Sequence, residues 1–212
     1  YADSSLKKDK DIVFAGMRID GFVLKDADET LKQDKEVVLA AVKTDPVSFK
    51  FASKVLKKDK LFLLSIIKLV KTKYGSGMRS RGFFHMFYKN IDPLLKKDKQ
   101  IILASVQTNG DSLEHVDKSF KKDKKIVLAA VKSWGLSLQY ADKSLKKDKK
   151  IALTAIQENA HAFENIDASL KKDKKIVLAA VQNKGYLLEH ADQSLKKNKK
   201  IVLAAVKSFG RA

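Results

Sequence analysis

The chain has 212 residues, 44 of them Lys or Arg and 25 Asp or Glu, for a net charge of +19, with no Cys, two Pro and one Trp. The absence of cysteine excludes a disulfide scaffold, thiolate zinc sites and cysteine nucleophiles, and it fits a reducing, cytoplasmic compartment. At 44% hydrophobic residues the chain can bury a core, which a disordered polycation cannot; its longest apolar runs, such as 176–181, are too short to span a bilayer, and its polar, lysine-rich opening does not read as a signal peptide.

A repeat dominates everything else. The block LKKDK, with small changes, starts at Leu6, Leu31, Leu56, Leu95, Phe120, Leu145, Leu170 and Leu195. Every interval is 25 residues except one of 39, which marks an insertion of 14 residues. In chain order, Tyr1-Ala-Asp-Ser-Ser-Leu6 matches Tyr140-Ala-Asp-Lys-Ser-Leu145, so the chain is expected to open inside the second helix of a repeat.

Each following unit predicts two helices, read most clearly over 120–145. Asp123 is a good N-cap, and 124–133 is rich in helix formers. Gly135 stands where a residue of positive φ would end this first helix, as do Gly21, Gly110, Gly185 and Gly210, while Pro46 and Ala160 depart from the rule. The run 126–131 is apolar nearly all round, which predicts a helix buried between neighbours. A second helix is predicted over about 137–146, with Leu138, Ala141 and Leu145 on one stripe. Asp142 and Lys146 would pair at i, i+4 on its flank, worth ~0.3 kcal/mol; the pair recurs as Asp117 with Lys121, Asp167 with Lys171 and Asp192 with Lys196.

The insertion falls in the third full unit, and a loop is expected over 72–84. The first helix there runs from Leu61 to about Lys71, Tyr74 to Gly82 reads as a flexible loop, and Phe83 to Ile91 resumes as an aromatic-rich second helix near Pro93. Gly75, Gly77, Arg79 and Arg81 could hold an anion, although no phosphate-loop spacing is present. The segment is either a lengthened turn whose aromatics pack locally or a partner-contact loop. The later units continue to Gly210-Arg-Ala, just after a first helix. A two-helix unit of this size cannot bury both faces of its first helix alone. The fold is therefore expected to be all-α, an α-solenoid of stacked 25-residue two-helix repeats. It reads as a single array over 1–212 of about eight units, the first and last incomplete and without polar capping repeats. That implies a longer chain or a larger assembly.

Units such as KKDKKIVLAAVKSWG and KKDKKIVLAAVQNKG resemble an uncharacterised bacterial and protist family of tandem helical repeats, a domain of unknown function with an LAAV-type signature in each first helix. The resemblance covers nearly the whole chain, is clearest from Leu95 to Gly210 and is weakest between Lys71 and Asn90. It implies an all-helical tandem array and carries no known activity, cofactor or catalytic residue.

The lysines are the main functional candidates. Each corner holds about four, and stacking would align Lys124, Lys125, Lys149, Lys150, Lys174 and Lys175 into a basic ridge for phosphate backbones or an acidic protein surface. The alternative is solvated charge that keeps the array soluble. The position five residues before each LKKDK leucine holds Tyr1, Asp26, Phe51, Asn90, His115, Tyr140, Asn165 and His190. These residues either read bases, one per repeat, or pack against the next unit. In the variable column before the glycine, Trp134 and Phe209 would anchor a protein partner if exposed. Neither a metal-ligand spacing nor a catalytic motif appears, so the sequence reads as a non-enzymatic scaffold without metal or cofactor. It binds an acidic protein or, alternatively, a nucleic acid.

Overall fold

The computed structural model describes residues 6–209, and the first helix of each repeat begins directly after an aspartate or, once, after Asn198. The helices are α1 (Lys10–Met17), α2 (Glu29–Gln33), α3 (Lys35–Thr44), α4 (Lys60–Tyr74), α5 (Met78–Asn90), α6 (Lys99–Thr108), α7 (Lys124–Ser133), α8 (Lys149–Glu158), α9 (Lys174–Asn183) and α10 (Lys199–Phe209). No strand occurs among the described residues, and none of their helices is long and apolar enough to cross a membrane. The caps explain the regular starts. Asp123 accepts from the backbone N–H of Lys125 at 2.9 Å and of Ile126 at 3.2 Å, and Asp148 and Asp173 repeat the arrangement.

The chain divides into two compact units, 1–115 and 116–212. In the first, α1, α3, α4 and α6 pack in succession, over a core that includes Leu24, Phe49, Leu63, Phe83 and Phe87. In the second, α7, α8, α9 and α10 pack in succession; α7, α8 and α9 each bury the residues equivalent to Ile126, Val127, Ala130 and Val131, and α10 buries Ile201 and Ala205.

The second half of the repeat differs from the α-helix expected over 137–146. It is a 3-10 segment, Gly135–Tyr140, then a bend, then a single 3-10 turn, Leu145–Lys147. Asp142 makes the break. Its carboxylate accepts from the Ser144 N–H at 3.0 Å and from the Ser144 hydroxyl at 2.7 Å, a local turn that competes with helix. Its own N–H leaves the unit and donates to the Lys121 carbonyl of the preceding repeat at 3.0 Å. Asp167 and Asp192 bond in the same way to the carbonyls of Lys146 and Lys171, both at 3.1 Å. Three of the side-chain pairs expected at i, i+4 give way to backbone contacts: Lys146 donates to the Gln139 carbonyl at 2.7 Å, Lys171 to Glu164 at 3.4 Å and Lys196 to Glu189 at 2.7 Å. These lysines close the ends of the 3-10 segments.

Gly21, Gly135 and Gly185 also have a different reason from the one expected, while Gly210 lies outside the described residues. Only Gly75 has a positive φ among the described residues. Gly135 is there for space, since a Cβ on it would lie 2.5 Å from the Ala155 carbonyl oxygen and 2.9 Å from the Asn159 nitrogen. Gly21 and Gly185 meet the backbones of Ala41 and Ala205 in the same way.

In the insertion, the loop expected over 72–84 shrinks to the break between Tyr74 and Met78, because α4 runs to Tyr74 and α5 starts at Met78. Here the second half of the repeat is a true α-helix, held by Phe83, Phe84 and Phe87 against one another and against Phe49, with ring centroids 4.9–6.3 Å apart. The Tyr74 hydroxyl donates to the Lys43 carbonyl at 2.7 Å, and Lys73 donates to the same oxygen. Asn109 donates to Ser80 Oγ at 3.0 Å. The inserted pair is thus tied to the repeats on both sides.

Candidate interaction surface

Each first helix buries only part of its circumference. In α7, Ile126, Val127, Ala130 and Val131 are buried, whereas Leu128 and Ala129 are half-buried and Lys125 and Lys132 face solvent. The helix expected to be buried all round is therefore amphipathic in a narrow sense. Its open stripe, at i, i+3, i+4 and i+7, carries leucine and alanine between charged ends. The stripe recurs as Lys150, Leu153, Thr154 and Gln157, as Lys175, Leu178, Ala179 and Gln182, and as Lys200, Leu203, Ala204 and Lys207. Between α9 and α10 it forms a groove of about 730 Å³ lined by Leu178, Leu203 and Ala204 with Lys199, Lys200 and Lys207. In the first unit a groove of about 360 Å³ between α3 and α4 is lined by Leu39, Ala40 and Leu69 with Lys43 and Lys68.

The two lysines that open each helix have separate roles. Lys124 reaches the N-cap of the next repeat, Asp148, at 2.5 Å, and Lys149 reaches Asp173 at 2.7 Å. Lys10 with Asp34, Lys35 with Asp59 and Lys60 with Asp98 form the same ladder in the first unit at 2.6–2.7 Å. The hydrogen bonds from Lys124 and Lys149 hold the Asp148 and Asp173 carboxyls below the usual range. At Lys174 the next cap is Asn198, so no carboxylate stands in that place. Lys125, Lys150, Lys175 and Lys200 are exposed, and their side chains have no ion-pair partner among the described residues. The ridge therefore splits into a structural row and a free row one helical position apart. Charge is concentrated in the second unit, where residues 116–212 hold 22 Lys and Arg against 10 Asp and Glu; residues 1–115 hold 22 against 15.

The other candidates are scattered. Tyr140, His115 and His190 are all half-buried. The His115 ring lies 5.1 Å from His85 and 6.2 Å from Tyr88, and His190 Nε2 is 3.1 Å from Glu189 Oε1. Trp134 is 40% exposed. Its column is a cap position: Asp20, Asp45, Asn109 and Asn159 each accept from the N–H two residues on. Trp134 and Lys184 make no such bond. Arg81 Nε is 3.3 Å from Asp111 Oδ2. Burial pushes that carboxyl up, and Arg81 opposes the push. Arg79 is exposed over the Tyr74 ring at 5.9 Å. The leucine row was missed from sequence because the apolar run hid it, and the i, i+3, i+4, i+7 spacing from Lys125 to Lys132 was its only signal.

A family model described as "Domain of unknown function (DUF4116)" matches residues 34–76, 82–121, 123–171 and 173–212. No curated protein and no solved structure matches the chain.

Proposed function

The chain belongs to the family described as Domain of unknown function (DUF4116), and we propose that it is a non-enzymatic helical-repeat scaffold whose open helix stripes in residues 116–212 bind an acidic, amphipathic protein segment. The observation that carries this reading is the leucine row Leu128, Leu153, Leu178 and Leu203, bordered by the unpaired Lys125, Lys150, Lys175 and Lys200. A helix with leucines on one face and glutamates beside them satisfies both rows, and its anchors follow helix-in-groove recognition. A phosphate backbone would use the lysines and leave the leucines wet. The ladder lysines Lys124 and Lys149 already have carboxylate partners, and Phe51, His115, Tyr140 and His190 in the column proposed to read bases are half-buried, both of which favour protein over nucleic acid. The recurrence of one surface along several repeats suits avidity better than a single reaction centre.

The test uses a fluorescein-labelled helical peptide with Leu at helical spacing and Glu at the flanking positions. Lys125→Gln with Lys150→Gln and Lys175→Gln, and separately Leu153→Ser with Leu178→Ser, are each expected to weaken binding about tenfold or more. Lys124→Gln with Lys149→Gln is expected to change it much less. Binding that falls with the lysines and ignores the leucines would leave only general polycation attraction.

A further inference from the structure

The corner that precedes each first helix is polar in most repeats. The residue before the LKKDK leucine is Thr30, Ser119, Ser144, Ser169 or Ser194, and its hydroxyl donates to the aspartate two residues earlier at 2.6–2.8 Å. Two adjacent corners of the first unit break the pattern. Val55 and Leu94 stand there instead, 64% and 82% exposed. Five residues after the Leu56 of the first of these corners, where the second unit carries its free lysines, Leu61 is 77% exposed. The repeat folds with serine or lysine at these places, so packing does not require the aliphatic side chains. Hydrogen bonds and an ion pair bring the three together. The Asp92 N–H donates to the Lys57 carbonyl at 3.1 Å, which joins the two corners, and Lys60, next to Leu61, reaches Asp98 of the second corner at 2.7 Å.

We propose that this edge, Val55, Leu61 and Leu94 set among lysines, docks on an anionic lipid surface, the aliphatic side chains entering the interface and the lysines meeting the headgroups. Charge selects that partner. Residues 54–61 and 94–99 together hold seven lysines and two aspartates. The carboxylates are occupied within the fold: Asp59 and Asp98 cap α4 and α6 and pair with Lys35 and Lys60, and Asp92 accepts from the Leu94 N–H at 2.9 Å. Lys54, Lys58, Lys97 and Lys99 are exposed around the aliphatic side chains. A bilayer interface accommodates protruding apolar tips without a preshaped partner, and lysine stems lie along it with their charges among the headgroups. At the equivalent places the second unit has serine and lysine, so a lipid surface there would meet charge alone. The dock uses the first unit only and does not depend on the peptide-binding stripe of residues 116–212.

Co-sedimentation of the full chain, without any peptide, with vesicles of phosphatidylcholine, alone or with roughly a third phosphatidylserine, tests the proposal. At physiological salt the wild type is expected to bind the phosphatidylserine vesicles and to leave those of phosphatidylcholine alone largely bare. Val55→Ser with Leu61→Gln and Leu94→Ser is expected to weaken binding at least about tenfold, as is Lys54→Gln with Lys97→Gln. Lys125→Gln with Lys150→Gln and Lys175→Gln is expected to change it much less. All these positions are exposed, and circular dichroism confirms that each variant remains folded. Because the chain has no cysteine, Leu94→Cys carrying an environment-sensitive dye reports insertion directly. Its emission is expected to shift to the blue on phosphatidylserine vesicles, whereas the same dye on Ile19→Cys, exposed after the end of α1, is expected not to shift. A wild type that ignores the vesicles overturns the proposal and leaves the edge to a protein partner. Binding that follows Lys125, Lys150 and Lys175 and ignores the three aliphatic residues overturns it too, as does a dye at position 94 that stays in water.

Discussion

Replacing Gly135 with alanine tests the packing between repeats, because the added methyl has nowhere to go. Its Cβ would sit 2.5 Å from the Ala155 oxygen, 2.9 Å from the Asn159 nitrogen and 3.1 Å from the Asn159 Cβ. The two closest atoms are backbone, so no rotamer change relieves the clash. To restore an ordinary carbon–oxygen distance of about 3.3 Å, α8 must recede by roughly 0.8 Å. Overpacking of this kind costs about 1–3 kcal/mol. Because Gly135 does not use a positive φ, alanine also recovers about 0.4–1 kcal/mol by stiffening the unfolded chain. The net loss is then about 1–2 kcal/mol, or roughly 2–8 °C in Tm for a chain of this size. Ala160, buried at the equivalent position of the next repeat, places the cost toward the lower end. The control is Gly82→Ala in α5, where a Cβ would meet nothing within 4 Å. That change should raise stability by about 0.5–1 kcal/mol. Thermal and urea unfolding followed by circular dichroism read both. A Gly135→Ala chain as stable as the wild type, beside a Gly82→Ala chain that gains nothing, would refute the close-approach account.

Ser137 is buried, and its hydroxyl has no hydrogen-bond partner among the described residues, while the next repeat has the fully buried Ala162 at the same place. Ser137→Ala should therefore raise stability by about 1 kcal/mol, seen as a higher urea midpoint at unchanged slope. Asp173→Ala removes the cap on Lys175 and Ile176 and should cost about 1 kcal/mol, whereas Asp173→Asn keeps an acceptor and should cost only a few tenths; Asn198 already caps α10 in this way. Hydrogen bonds from Lys35, Lys124 and Lys149 lower the Asp59, Asp148 and Asp173 carboxyls below 3.8. The folded values lie below the unfolded one, so this stabilisation is complete above about pH 4 and is lost as pH falls through the folded values. Urea midpoints should be nearly flat between about pH 5 and 8 and drop below about pH 4.

The period, the helix starts and the all-α repeat architecture were legible in the sequence because they depend on local chemistry, above all the aspartate, once an asparagine, one residue before the first helix of each repeat. What lay outside its reach depends on the neighbouring repeat. Asp142 ends the second helix because its N–H finds the Lys121 carbonyl, a partner 21 residues away. Gly135 looks like a helix stop until the Ala155 oxygen is placed against it. Lys124 and Lys125 are alike in type, yet a helical rotation of about 100° sends one to Asp148 and leaves the other in solvent. The same rotation opens Leu128 on a helix whose composition suggested burial. The column containing Trp134 looked variable because its capping role is met by Asp or Asn in four repeats and abandoned at Trp134 and Lys184.

Binding to the full chain by the labelled Leu–Glu peptide, single-stranded RNA, single-stranded DNA and duplex DNA, followed by fluorescence anisotropy over one salt series, tests the central claim most directly. Contact through the leucine row predicts that the peptide still binds near physiological salt, with a shallow dependence, while the nucleic acids fall away steeply. Sub-micromolar RNA or DNA binding that persists at that salt, with the peptide released, would contradict it and make the free lysine row a phosphate track.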